Sequence, residues 1–451
     1  MHPRFRAVLL AIVTAMLLPG SAFSAAAAMA GPAQTVPRGP GDPPTLSARA
    51  AILIDEATGR VLYQRNADQA FVPASLAKLM SLHIIYERLA DRSISRGDVV
   101  SLSTNAWAQH QAPGSTLMNL GPGQIVTVEE LMKGMAVASG NDAATALAEY
   151  VAGSAAEFVR LMNEEARFMG YTAMHFADPA GVSPDNSVTA REFADFSRRY
   201  IDLHPEALDE LHSLREFDYP LAQNMPNGRL SRTLTKKQYN GNYLVWDGIG
   251  VDGLKTGHLD DNNFTAAITA RRGDTRLIAV LLGLSGRSLT DGARVRAEES
   301  RALLAWGFEN YATLTLDAPA LPLVRVWKGA ARRVAVAPAG PVRLTTRADE
   351  RPALSYSVLL QEPVVAPVLA GQKLGDIVYT SGSEEVARIP LLAQQGVDGA
   401  GFLRRVWDGA LLGISTALQN TGAALATVLD NFRPLAIVSA EHTSTTERRT
   451  P

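Results

Sequence analysis

The stretch Pro73-Ala74-Ser75-Leu76-Ala77-Lys78 decides how this chain reads. Leu76, Leu79, Met80, Leu82, Ile85 and Leu89 follow at helical spacing, which predicts a helix from Ser75 to about Leu89. Ser75 and Lys78 are three apart and share a face of that helix. Ser75 falls in its first turn, where unpaired backbone N–H groups set up a positive field. A serine hydroxyl is a weak nucleophile until a base takes its proton. A lysine amine one turn away can act as that base once burial or a nearby cation lowers its pKa. Taken alone, the hexapeptide reads more readily as a serine N-cap followed by a surface lysine.

The whole chain sets the bounds. Its 451 residues, 47% hydrophobic and 20% charged, supply material for two or three globular domains. The net charge is −2, with no basic cluster and no aromatic-basic interleaving, so nucleic acid is not an expected partner. Cysteine is absent, which excludes disulfides, thiolate metal sites and a cysteine nucleophile. No histidine pairs convincingly with another histidine or an acid at ligand spacing, so no metal and no cofactor are expected. His2, Arg4 and Arg6 precede the apolar run Ala7–Leu18, and small residues follow. Residues 1–30 thus read as a secretory signal peptide, too short to span a membrane, and residues 31–45 as a flexible Pro/Gly-rich leader.

Working outward from Ser75, Ala51–Asp55 and Val61–Arg65 flank a Gly-bearing turn and predict a hairpin. Residues 91–125 are loop-rich. Thr127-Val128-Glu129-Glu130 is a capping-box pattern, opening a helix that halts at Ser139-Gly140-Asn141. Asp142 is expected to cap the next helix. Further helices are expected near Ala155–Met169 and Thr189–Tyr200, and again over Ala293–Trp306. Leu244–Trp246 is a strand candidate, followed by a strand through Val251–His258. Phe264–Ala270 and Arg276–Leu284 form a second hairpin. Two hairpins bracketing a helical middle predict an α+β domain over residues 46–311, one antiparallel sheet covered by helices. Short β-prone runs between Leu321 and Leu391 predict a small all-β domain over 312–393. In 396–438, Phe402, Leu403, Val406, Trp407, Ala410, Leu411, Ile414 and Leu418 recur at three and four residues, an amphipathic pattern. The polar tail 439–451 is expected to be disordered.

Three short motifs lie in order: Ser75-x-x-Lys78, Ser139-Gly140-Asn141 and Lys255-Thr256-Gly257. No other lysine follows a serine by three residues, and no other lysine precedes Thr-Gly or Ser-Gly. A second S-x-N occurs at Ser103-Thr104-Asn105, so the middle motif is weak by itself. Ser139 gains weight from its place at a break between helices. Lys255 gains weight from lying on a strand where Gly257 allows close backbone approach of a ligand.

With these three motifs the chain resembles the D-alanyl-D-alanine carboxypeptidases, low-molecular-mass penicillin-binding proteins of the β-lactamase/transpeptidase-like fold. The resemblance extends to Tyr63-Gln64-Arg65-Asn66-Ala67 and Leu303-Leu304-Ala305-Trp306-Gly307-Phe308, and covers about 46 to 391. It implies that Ser75 attacks the penultimate D-alanine carbonyl of a peptidoglycan stem peptide ending in D-Ala-D-Ala. Lys78 takes the serine proton, Ser139 relays a proton to the leaving D-alanine, and Asn141 orients the substrate amide and Lys78. The N–H groups of Ser75 and His258 form the oxyanion hole, Lys255 supplies positive potential that also deprotonates Lys78, and Thr256 with Arg296 binds the terminal carboxylate. Arg294 is a neighbour of that arginine. It implies β-lactams as covalent inhibitors, and a C-terminal helix that holds a secreted, periplasmic enzyme on the outer face of the cytoplasmic membrane. Such enzymes often carry an Asp after a Gly turn near the deacylating water. Here the turn reads Ala180-Gly181-Val182-Ser183-Pro184-Asp185, with Ser183 near the expected Asp. Other readings are a D,D-endopeptidase of the same fold, a class A β-lactamase, and a binding module without turnover. The second lacks its E-x-x-L-N between Asn141 and Lys255.

Overall fold

The computed structural model describes residues 41–225, 235–347 and 354–412. The signal-peptide reading, most of the leader, the second half of the amphipathic region and the polar tail lie outside the described residues.

Both hairpins join one antiparallel sheet, as expected. Its strands are β1 (Ala50–Asp55), β2 (Val61–Arg65), β3 (Val251–His258), β4 (Phe264–Arg272) and β5 (Thr275–Leu284), in the order β2-β1-β5-β4-β3. Ile52 of β1 pairs with Val280 of β5, and Lys255 of β3 with Ala267 of β4. The run Leu277–Leu282 is apolar without interruption because both faces of the sheet are covered. Ile278, Val280 and Leu282 face one core, and Leu277, Ala279 and Leu281 the other. This is the period-2 alternation of a strand serving two cores at once.

The first core is shared with the helical middle: α1 (Ala77–Ala90), α2 (Val128–Ala136), α3 (Asn141–Ala152), α4 (Ala155–Phe168) and α5 (Ala190–Leu203). The second lies under α6 (Leu289–Asn310). Capping chemistry sets several starts. Thr127 accepts from the Glu130 N–H while Glu130 reaches back to Thr127, a full capping box, and Thr189 accepts from the Glu192 N–H. α6 begins four residues before the expected Ala293 and ends four after Trp306, since Ser288 caps it.

Two local expectations fail. Tyr243–Trp246 is a 3-10 turn rather than a strand, because the Asn242 side chain accepts from the Leu244 N–H and curls the backbone. Asp142 does not cap α3, which starts at Asn141. Its carboxylate turns inward and accepts from the N–H groups of Met118 (2.8 Å), Leu120 (2.9 Å) and Ala143 (2.9 Å), tying the loop 116–120 to the helix. Burial pushes its carboxyl pKa up against those hydrogen bonds. Asp142→Ala would leave three buried donors unpaired. The expected loss is on the order of 3 kcal/mol, read as a lower urea midpoint with an unchanged slope.

After α6 come β6 (Tyr311–Leu316), β7 (Val324–Trp327), β8 (Val342–Arg347), β9 (Leu354–Leu360), β10 (Lys373–Ser381) and β11 (Glu384–Ala393), which with shorter strands enclose a third core of Val326, Leu344, Ile377 and Tyr379. β6 pairs with β8, and Thr313 of β6 hydrogen-bonds Asp55 at the end of β1, so the junction between the two parts is stitched to the main sheet. A last helix occupies 402–412.

Candidate active site

The site is built where α1, the α2–α3 break and β3 meet. The backbone enters α1 through a 3-10 turn over Ala74–Leu76, with Ala74 left-handed at φ 51°. Gly181 packs on this turn: at φ +83° a Cβ there would lie 1.9 Å from the Ala74 carbonyl oxygen. On its other side passes β3. A Cβ on Gly257 would lie 3.0 Å from the Ser75 backbone nitrogen and 2.4 Å from Thr265 Oγ1. The glycine of Lys255-Thr256-Gly257 therefore admits the strand to the Ser75 turn itself, a closer fit than the ligand approach expected from sequence.

The periodic residues of α1 suggest one buried face, but Ala77 to Tyr86 are buried all round. Lys78 is completely buried. Its Nζ lies 3.0 Å from Ser75 Oγ, and it donates to Asn141 Oδ1 at 2.7 Å and the Ala180 carbonyl at 2.8 Å. Burial brings its pKa down to about 7, against the upward pull of Asp178 and Asp142. The neighbouring cation is thus not the leading cause. Repulsion from Lys78 falls on Lys255 instead, which burial first and then Lys78 and Arg296 hold well below the ordinary lysine range.

Ser139 sits at the α2–α3 break in left-handed backbone at φ 57°, and its carbonyl accepts from Thr116 Oγ1 at 2.7 Å. The competing Ser103-Thr104-Asn105 is a surface cap: Ser103 Oγ accepts from the Asn105 N–H and its hydroxyl donates to Glu149. Lys255, Thr256, Gly257 and His258 end β3. Lys255 Nζ donates to the Thr256 carbonyl at 2.9 Å, and the His258 ring packs on Phe264 at 4.5 Å. Burial, helped by Arg296, lowers the His258 pKa. Arg296 is buried on α6 and donates to the Gly257 carbonyl and the Gly241 carbonyl, both at 3.0 Å, while burial lowers its pKa to about 10. Arg294 points outward to Asp291 and Glu298. Among the described residues no carboxylate forms an ion pair with Lys78, Lys255 or Arg296, three buried basic side chains of which Lys255 feels the other two.

Sequence reasoning missed Asp178. Its carboxylate accepts from the N–H groups of Ala180, Gly181, Val182 and Ser183 at 2.6–3.1 Å and from the Asn186 amide at 2.8 Å. Burial opposes its charge, but those donors hold its pKa below the ordinary range. It fixes the turn whose Ala180 carbonyl reaches Lys78. Asp-Pro-Ala-Gly is an aspartate-led turn signal that points to this role. Asp185 is exposed, and its N–H donates to Ser183 Oγ.

A helix-covered antiparallel sheet, with a serine–lysine pair opening its central helix, defines a serine enzyme of the penicillin-binding class. Residues 38–286 match the family model described as D-alanyl-D-alanine carboxypeptidase, and residues 317–398 match that of the penicillin-binding protein 5 C-terminal domain. The chain is 35% identical over 376 residues to the D-alanyl-D-alanine carboxypeptidase DacC of Escherichia coli K12, covering 82% of this chain and 89% of that protein. Penicillin-binding protein 5 from Haemophilus influenzae superposes with a TM-score of 0.70 at 30% identity, over 79% of this chain and 99% of that one. Penicillin-binding protein D2 from Listeria monocytogenes, in its cefotaxime-bound form, matches at 0.50 and 26% identity over 59% of this chain and all of that one. The chain belongs to the D-alanyl-D-alanine carboxypeptidase family, hydrolases that act on the D-alanyl-D-alanine of peptidoglycan and bind β-lactams.

Proposed function

We propose that Ser75 removes the terminal D-alanine of stem pentapeptides through an acyl-enzyme. The observation that carries this is the Lys78 amine. A neutral amine has two N–H groups and one lone pair. The Asn141 and Ala180 oxygens take the two N–H groups, so the lone pair is left for the Ser75 hydroxyl. Lys78 then accepts the serine proton as Oγ attacks the penultimate D-alanine carbonyl. The N–H groups of Ser75 and His258 receive the oxyanion, each worth roughly 3 kcal/mol in such sites. Ser139 passes a proton to the leaving D-alanine nitrogen. Lys255, Thr256 and Arg296 take the terminal carboxylate, whose charge offsets the positive potential of Lys255 and Arg296. Water then hydrolyses the ester. D-alanine release from a soluble pentapeptide, alongside stoichiometric labelling by penicillin, is the expected result. Labelling without release would leave a penicillin-binding module.

The domains this reading assigns are 46–311 for catalysis, 312–393 for the β domain and 396–438 for attachment. Support for attachment comes from the helix at 402–412. It docks by its polar side, Asp408 accepting from the Lys328 N–H at 2.7 Å and Arg404 donating to the Ala330 carbonyl at 3.1 Å. Phe402, Leu403, Val406 and Trp407 are left exposed, Leu403 at 84% and Trp407 at 67%. Among the described residues no helix is long and apolar enough to cross a membrane. A secreted, periplasmic enzyme lying on the outer face of the cytoplasmic membrane fits this geometry. A version ending at Gln395 is expected to leave the membrane fraction while still releasing D-alanine. Its retention on membranes would refute the anchor.

A further inference from the structure

His83 lies on α1 five residues beyond Lys78, and Glu87 is one turn further along the same face. α5 ends at Leu203, and the next residue, His204, turns back onto that face. His83 Nδ1 stands 2.8 Å from His204 Nε2, and Glu87 Oε1 stands 3.6 Å from that same nitrogen. The three donor atoms lie within 4.8 Å of one another. Both rings are buried, and the Glu87 side chain is half exposed. On its far side His83 Nε2 lies 3.3 Å from Glu165 Oε1 of α4. When Nε2–H donates to that carboxylate, Nδ1 turns its lone pair to the shared centre. This carboxylate–histidine arrangement is the one that commonly backs a metal ligand.

We propose that His83, Glu87 and His204 form a Zn²⁺ site, with Glu165 orienting His83. Two imidazoles and a carboxylate suit a borderline divalent cation, and three protein ligands leave a fourth position for water. Zn–N bonds of about 2.0–2.1 Å in a tetrahedral array set donors roughly 3.3 Å apart, so the two rings need part by only about 0.5 Å. A cavity of about 450 Å³, lined among others by His83, Glu87, Glu165 and Arg199, reaches two of the three donors and supplies an entry path. The ion would pin α1, which carries Lys78 and follows the Ser75 turn, to the end of α5, at a distance from the chemistry.

The test uses full-length protein stripped with a chelator and titrated with Zn²⁺ against a chromophoric competitor. One equivalent is expected to bind at micromolar affinity or tighter, and to raise the melting temperature. Co²⁺ in its place should give the absorption bands of a four-coordinate ion. Glu87→Gln, at an exposed position that leaves the core intact, should weaken binding at least about tenfold, and Glu165→Gln by about 10–100-fold. Penicillin labelling should be unchanged in both. Failure of the unmodified protein to take up one equivalent, or full affinity in Glu87→Gln, would overturn the site and leave the histidines a hydrogen-bonded core pair.

Discussion

Ser75→Ala is expected to abolish covalent labelling by penicillin and to lower D-alanine release by at least about 10⁴-fold, the scale seen when a nucleophile is deleted from a serine hydrolase. The site offers no substitute. Ser139 stands on another element, and among the described residues the Ser75 hydroxyl is the one donor hydrogen-bonded to Lys78 Nζ, whose other partners are the Asn141 and Ala180 oxygens. Ser75 is only partly buried, so the loss of one oxygen leaves the 3-10 turn and its packing against Gly181 and Gly257 in place. Circular dichroism and the melting temperature should match the unmodified protein. Labelling that persists in a folded Ser75→Ala protein would reject the nucleophile.

The second large effect concerns Lys78. A base must be neutral to act, and burial sets its pKa at about 7. Above that value most of the enzyme holds the free amine. Below it the amine is protonated, and the acylation rate should fall about tenfold per pH unit. Asp178→Asn removes a charge that pulls this pKa upward, so the limb should move to lower pH. Lys78→Arg places a guanidinium that keeps its proton in the same buried space, and acylation should drop by about 10³-fold or more. Stopped-flow acylation with a chromogenic β-lactam measures both. A pH-independent rate from pH 5 to 8, or near-normal acylation in folded Lys78→Arg protein, would remove Lys78 from the role. The range is set by roughly one to two units around the shifted pKa.

The sequence by itself determined what depends on neighbours along the chain. The period of α1, the capping box at Thr127 and the two hairpins each follow from residues within a few positions of one another. So does the α+β class, because two hairpins around a helical middle have few ways to share a sheet. The order of Ser75-x-x-Lys78, Ser139-Gly140-Asn141 and Lys255-Thr256-Gly257 marks the family without any contact between them. Only the tertiary structure decided what those residues experience. No single side chain lowers the Lys78 pKa; the cause is burial by helices and by the turn at Ala180, 102 residues away. Asp142 has the local look of a cap, yet the loop 116–120 claims its carboxylate. Leu244–Trp246 has strand residues, yet one Asn242 hydrogen bond curls them. His83 and Glu87 look like ordinary helix residues until His204 arrives from 121 residues on. Local propensity is written in short spacings, whereas pKa values and converging donors depend on which distant atoms the packed core brings within a few ångströms.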